Sequence, residues 1–303
     1  MLRWIFSTLS RLAQPEENDA DPWLKSMRQA ERYLDAGKLD KAEAALRPLS
    51  SLPQPDERRL HTLYTLGIAL GRQGNDKEAA KFLEEAFKLT KAVWPDDTGR
   101  LVSTLQNWLV SLKRTGEEKK ATDAEAQLRV LADRLINELW THDDDSDDWV
   151  HIPTTIRFPE NFGAFHRVDV GFDNPTGFGG QVIYTLRPPG RGKVLVEVFI
   201  TDRSPKEGLI ELSNRAVAML GLDGADYKEG IFRAGLEPTP TGIRRLWPFF
   251  EVDGENWNLE TFFVARGQIH ICIFKTCPPG DVIETGESLE QMLVQFDWPR
   301  ADG

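Results

Sequence analysis

Apolar residues recur every three or four positions through most of residues 21–141, which predicts a series of amphipathic helices. The pattern is clearest in residues 63–86, where two such helices flank Gly74. A glycine at this place ends a helix and lets the chain reverse. Gly67 and Ala79 are small, so we expect the two helices to approach closely. This stretch therefore predicts a helical hairpin, that is, two antiparallel helices joined by a tight turn.

Two further helical hairpins are predicted, one on each side of the central one. Gly37 and Gly116 occupy the place of Gly74, and the first copy keeps small residues, Ala30 and Ala42, at the matching offsets. The turn glycines are 37 and then 42 residues apart. The third copy is less regular and ends in a long helix predicted over about 117–141.

This arrangement resembles the tetratricopeptide repeat (TPR), whose signature combines a Leu-Gly pair, here Leu66-Gly67, with a turn glycine and spaced alanines. The long spacing resembles the kinesin-light-chain type of TPR. The resemblance covers about three repeats in residues 21–141, after an N-terminal tail over 1–20. It implies an all-α solenoid whose first helices line a groove that binds other proteins.

The helical period points a second set of side chains away from the predicted core, toward that groove. The candidate partner-binding residues are His61, Tyr64, Ile68, Arg72, Gln106, Lys113 and Arg114, and Ser103 and Val110 share their offsets. This mixture of aromatic, polar and cationic groups suits another protein or a peptide with some acidic character. The alternative, that these are ordinary surface residues, stays open. The paired asparagines and lysines of a TPR carboxylate clamp are absent from the sequence.

From residue 150 onwards the apolar period changes from 3.6 to 2, which predicts β-strands. Strands are predicted at about 165–172, 180–187, 194–202, 228–235, 242–253, 258–265 and 268–276, and helices at about 206–220 and 286–297. Strands in runs with bracketing helices predict an α+β sandwich with a mainly antiparallel sheet in residues 150–303.

The C-terminal domain resembles the PsbP-like fold, named for the photosystem extrinsic protein. The resemblance rests on Gly179–Tyr184, on the strand Val194–Asp202, and on the hairpin Phe262–Thr276. Members of this fold mostly bind other proteins, so the resemblance implies a second binding domain.

Residues 142–149, HDDDSDDW, separate the two predicted domains. An EF-hand calcium loop needs a glycine at its sixth position and a glutamate at its twelfth, which this stretch does not supply. We interpret it as a solvated acidic linker. Gly190–Lys193 superficially suggests a phosphate loop, but Val194 is expected to open a strand, so we interpret the segment as a hairpin turn.

Composition narrows the class of partner. The net charge is −11, and acidic and basic residues are mixed along both halves, which argues against nucleic acid because phosphate binding needs a basic face. No cysteine–histidine cluster predicts a metal site, and no cofactor is predicted. Cys272 and Cys277 are five positions apart, which in an extended strand is too far for a disulfide unless the strand ends between them. Residues 1–14 do not match a signal peptide, and no apolar run predicts stable membrane insertion.

We therefore predict a non-enzymatic protein–protein interaction module, an adaptor or chaperone in a bacterial cytoplasm. The alternative is an enzyme or small-ligand receptor with its site in the C-terminal domain, where His166, His270 and Cys272 are the candidates. A third possibility is an envelope-associated protein tethered by its first dozen residues.

Overall fold

The computed structural model describes residues 21–51, 53, 56–172, 179–186, 193–202, 228–233, 241–252, 255–266 and 269–278. These residues form two compact units, one that ends at Leu135 and one that starts at Ile136. Within the described ranges, helices come first and a mainly antiparallel sheet region follows, which confirms the predicted order. The predicted tail over 1–20 and the predicted helices at 206–220 and 286–297 lie outside the described residues.

Consecutive antiparallel helices build the first unit. They are α1 (Pro22–Asp35), α2 (Leu39–Ser50), α3 (Asp56–Arg72), α4 (Asp76–Val93), α5 (Thr98–Thr115) and α6 (Glu118–Leu139). The turn glycines Gly37, Gly74 and Gly116 have φ angles of 66°, 83° and 73°. This left-handed conformation is the one that glycine adopts without strain, so all three chain reversals occur where the sequence predicts them.

The central hairpin packs closely at Gly67, as predicted, although its neighbour across the interface is Leu83. A Cβ atom at position 67 would lie 2.6 Å from the Cγ atom of Leu83, far inside van der Waals contact. Ala79 lies instead beside Gly71, where an added Cβ atom would be an ordinary 3.8 Å from the Ala79 methyl group. The two small residues thus serve two separate contacts between α3 and α4.

The second unit contains two antiparallel sheets. Its strands are β1 (Trp140–Asp143), β2 (Asp148–His151), β3 (Ile156–Phe158), β4 (Asn161–Phe162), β5 (Phe165–Phe172), β6 (Gly180–Leu186), β7 (Val194–Asp202), β8 (Lys228–Arg233), β9 (Thr241–Val252), β10 (Glu255–Arg266) and β11 (Ile269–Cys277). Strands β1–β3 form a small sheet, and the others form an eight-stranded sheet in the order β4-β5-β6-β7-β11-β10-β9-β8. The seven longer strands lie close to their predicted positions.

Both faces of the central strands are buried, which explains their nearly continuous apolar sequences. Val198 and Phe199 point to opposite faces of β7, and both are almost completely buried. One face also carries charge: the Lys275 ammonium donates to Glu260 at 3.1 Å, and Arg244 pairs with the second oxygen of the same carboxylate. Lys275 and Glu260 are 0% and 2% exposed. Three neighbouring strands are therefore joined by a buried ionic group.

The acidic stretch 142–149 is a β-hairpin rather than the expected linker. Strands β1 and β2 pair from Trp140 opposite His151 to Asp143 opposite Asp148. The Arg157 guanidinium on β3 lies 2.6 Å from Asp143 and 3.4 Å from Asp148, which offsets repulsion between the aspartates. Trp140, expected at the end of the last helix, begins β1 and donates its indole N–H to the Gly171 carbonyl at 2.8 Å.

Candidate functional site

The predicted partner-binding residues all lie on α3 and α5, the first helices of the second and third hairpins. Helix α3 contacts both α1 and α5, so the first helices lie side by side. We call the surface of α1, α3 and α5 the first-helix face. Aspartate side chains cap the N-termini of two of these helices. Asp21 caps α1 by accepting the Trp23 N–H, and Asp97 caps α5 by accepting the Arg100 N–H, both at 2.9 Å.

Tyr64 is buried, contrary to the expectation that it faces a groove. It is 8% exposed, and its hydroxyl group lies 2.9 Å from the Ser103 hydroxyl group. The Asn107 side chain also donates to the Tyr64 oxygen, at 3.0 Å. These bonds join α3 to α5. Sequence reasoning missed Asn107, because a polar residue on a partly exposed helix face carries no signal for a contact with a neighbouring hairpin.

Arg72 joins the second hairpin to the first. Its Nη1 atom donates to the carbonyl oxygen of Leu34 at 2.9 Å. That carbonyl group lies in the last turn of α1, where backbone oxygens lack helical partners, and it also accepts the N–H of the turn glycine Gly37 at 3.1 Å. Arg72 therefore acts as a cap on the preceding hairpin.

Arg114 repeats this contact one hairpin later. It precedes its turn glycine by two residues, as Arg72 does, and its Nη1 atom donates to the Gly71 carbonyl oxygen at 3.2 Å. The Gly71 oxygen likewise accepts the N–H of Gly74, at 3.2 Å. Arg114 also lies 3.4 Å from Asp76. One arginine–carbonyl contact thus recurs at matching positions of two successive junctions between hairpins.

Lys113 has an intramolecular partner as well. Its ammonium group donates to Glu125 on α6 at 2.7 Å, and this hydrogen bond lowers the pKa of the Glu125 carboxyl group. The three predicted cations are thus engaged within the helical unit. Glu125 and Asp76 partly offset the charges of Lys113 and Arg114, so these two cations provide less attraction for an acidic peptide than their sequence positions suggest.

The less polar candidates are also accessible. Ile68 and Gln106 are partly exposed. Val110, which occupies the place of Ile68 in the next hairpin, is 47% exposed. His61 is also partly exposed, and its ring lies 5.7 Å from that of Trp94 in an edge-to-face arrangement. The Lys113 and Arg114 side chains are 55% and 56% exposed, so the accessible part of the first-helix face combines apolar and neutral groups with cations that already have partners.

The candidates for an enzyme site in the sheet unit are not brought together. His166 lies exposed on β5, where its Nδ1 atom is 3.1 Å from the Asn161 side-chain oxygen. Cys272 is completely buried on β11, and two strands separate β5 from β11. The side chain of His270 is outside the described part of the structure. Cys272 and Cys277 are both buried, and no disulfide bond joins them. His166 and Cys272 therefore do not form a catalytic pair, which removes one arrangement that the alternative enzyme function could have used.

Within the described residues, no group of three or more histidine, cysteine or acidic side chains could hold a metal ion. No helix in those ranges has both the length and the apolar character needed to span a membrane. The chain matches no protein-family model, no curated protein sequence and no solved structure.

Proposed function

We propose that residues 21–141 are a TPR-like module of the kinesin-light-chain type that binds a protein or peptide through its first-helix face. The observation that carries this proposal is the repeated contact of Arg72 and Arg114 with the preceding hairpin. Because the contact recurs at the same place relative to the turn glycine, the first helices form a regular surface with equivalent positions in successive hairpins. Regular surfaces of this kind are what repeat proteins use for binding.

The accessible apolar positions of this surface suit a partner with an apolar side chain. Ile68 and Val110 occupy equivalent positions, and Val110 is a β-branched residue nearly half exposed on a helix. An apolar residue of a partner that covered them would contribute about 25 cal/mol per Å² of apolar area removed from water.

The sheet unit is proposed to be PsbP-like, and the whole chain to act as an adaptor or chaperone in the bacterial cytoplasm. The proposal draws on the sheet's strand order and on the two buried faces of its central strands.

The test uses the full chain and two matched valine substitutions. Val110→Arg changes the first-helix face, whereas Val130→Arg changes α6 at a side chain that is 69% exposed. Both add the same group at an exposed helical valine. We expect wild-type protein and Val130→Arg to recover a common partner from native lysate, and Val110→Arg to lose it, with about tenfold weaker binding to the purified partner.

Two results would count against the proposal. One is recovery of the same proteins by all three baits, which would place binding elsewhere. The other is recovery of no partner together with catalytic turnover in a substrate screen, which would favour the enzyme alternative. A melting curve for each variant separates lost binding from lost folding.

A further inference from the structure

Two arginines occupy the same place in successive hairpins and lie over tryptophan rings. Arg58 is in the first turn of α3, with its guanidinium carbon 5.0 Å from the ring centroid of Trp23. Arg100 is in the first turn of α5, with its guanidinium carbon 3.8 Å from the ring centroid of Trp94. Stacking of this kind fixes the plane of the guanidinium group.

The two arginines differ in how many of their side-chain nitrogens contact a carboxylate of the same chain. The Nη1 and Nη2 atoms of Arg58 both donate to the carboxylate of Asp21, at 3.4 and 2.5 Å. Its terminal donors therefore already hold a bidentate carboxylate from the same chain. Arg58 shows what this position in the hairpin can bind.

Among the described residues, Arg100 has one recorded ion pair, which its Nε atom makes. That atom lies 2.9 Å from Asp97, whose other oxygen caps α5. Within the described ranges, the structure records no acceptor for its Nη1 and Nη2 atoms, and the side chain is 40% exposed. One face rests on Trp94 and one edge on Asp97, so the terminal edge with its four N–H groups is the part that remains for a ligand.

We propose that Arg100, held by Trp94 and Asp97, binds a carboxylate group of the partner peptide, as Arg58 binds that of Asp21. This inference rests on the proposed function and adds one anchoring residue to it. A planar fork fixed in advance loses little side-chain entropy on binding, and it matches a carboxylate with two parallel hydrogen bonds. Because Asp97 offsets the charge of Arg100, we expect the ligand to be recognised by the two parallel N–H donors of the guanidinium group rather than by net charge. A lysine would not replace it.

The carboxylate could belong to an acidic side chain or to the C-terminus of the peptide, and three small probes distinguish these. They are N-acetyl-glutamate amide, N-acetyl-glycylglycine and the amide of N-acetyl-glycylglycine, which has no carboxylate. Each is titrated into full-length protein while NMR records the indole N–H of Trp94. We expect a saturating shift with at least one carboxylate probe and none with the amide, and the stronger carboxylate probe identifies the source.

Arg100→Lys should abolish the saturating shift, whereas Arg58→Lys, the matched control, should leave it unchanged. For a partner identified through Val110, Arg100→Lys should weaken binding about tenfold or more, the size expected for charge-assisted hydrogen bonds. The inference is overturned if neither carboxylate probe gives a saturating shift, or if Arg100→Lys keeps it. If the partner still depends on Val110 in that case, the proposed function stands and this inference alone fails.

Discussion

The close contact of Gly67 with Leu83 allows a quantitative test of how the central hairpin packs. Gly67→Ala adds one methyl group whose carbon would lie 2.6 Å from the Cγ atom and 2.9 Å from the Cδ2 atom of Leu83. Leu83 is 1% exposed, so it cannot turn away into solvent. Overpacking of a core by a methyl group costs about 1–3 kcal/mol. Against this, alanine favours a helix interior over glycine by about 1 kcal/mol.

Gly71→Ala is the matched control, since it makes the same change on the same helix. Its added carbon would meet the nearest atoms, in Ala79 and Ser111, at 3.8 and 3.9 Å, which is ordinary contact. We expect Gly71→Ala to be neutral or to stabilise the unit by up to about 1 kcal/mol, because only the helix preference changes. Gly67→Ala should lower the free energy of unfolding by about 1 kcal/mol once the two effects are combined.

Hydrogen exchange measured by mass spectrometry on peptides from α3 and α4 follows the opening of this hairpin separately from the sheet unit. Leu83→Ala removes the atoms that the new methyl group would meet, at a cost of its own of about 2–5 kcal/mol. In that background, Gly67→Ala should become stabilising, a coupling of about 1–3 kcal/mol between the two positions. The packing argument is refuted if Gly67→Ala stabilises the helices as Gly71→Ala does while Leu83 is present.

Two further predictions concern the sheet unit. In the first β-hairpin, both ring nitrogens of His142 lie near carboxylate oxygens, at 2.8 Å from Asp144 and 3.1 Å from Asp147, and these hydrogen bonds, that of Asp144 foremost, raise the pKa of His142. The contribution of His142 to stability is therefore present below its unfolded-state pKa and is lost as the pH rises through the raised pKa. An NMR titration of His142 should give a midpoint above that of the urea-unfolded chain, and Asp144→Asn should lower that midpoint. Equal midpoints in the folded and unfolded chains would contradict the assignment. In the large sheet, Glu260→Gln should cost about 3–5 kcal/mol, because it removes the carboxylate that neutralises the buried Lys275 ammonium. Lys275→Met should cost less, since Glu260 keeps Arg244, and urea unfolding that gives the opposite order would show that the buried group is not organised around Glu260.

The parts of the fold that could be predicted have local causes. A glycine that must turn left-handed, as at Gly74, is visible in the sequence because few other residues tolerate that conformation. The long strands were predictable because a run of seven or more residues rich in β-branched side chains is a strong signal, as in β7. Strands β1–β4 have two to four residues each, which is too short for any periodicity to emerge. Their pairing depends instead on specific contacts, such as those of Trp140 and Arg157.

The candidate site could be predicted less well, because the spacing of apolar residues along a helix shows only which side faces its partner in the same hairpin. The period separates the side that faces the partner helix of the same hairpin from the other sides, and it correctly places Leu63 and Leu66 in the core. It contains no information about the next hairpin along the stack. Tyr64 lies off the core stripe, yet α5 covers it. A side chain that points away from one hairpin can therefore be buried by another.

The same argument applies to cations, and it reverses which arginine should attract an acidic partner. Arg72 and Arg114 looked available because a backbone carbonyl acceptor leaves no trace in the sequence, whereas each of them in fact caps the preceding hairpin. Arg100, three residues after an aspartate, looked like a local ion pair. Asp97 takes a single donor of its side chain, and the terminal fork is the part left for a ligand. In this stack of hairpins, the cations beside turn glycines thus hold the hairpins together, and Arg100, in the first turn of a first helix, is better placed for a partner.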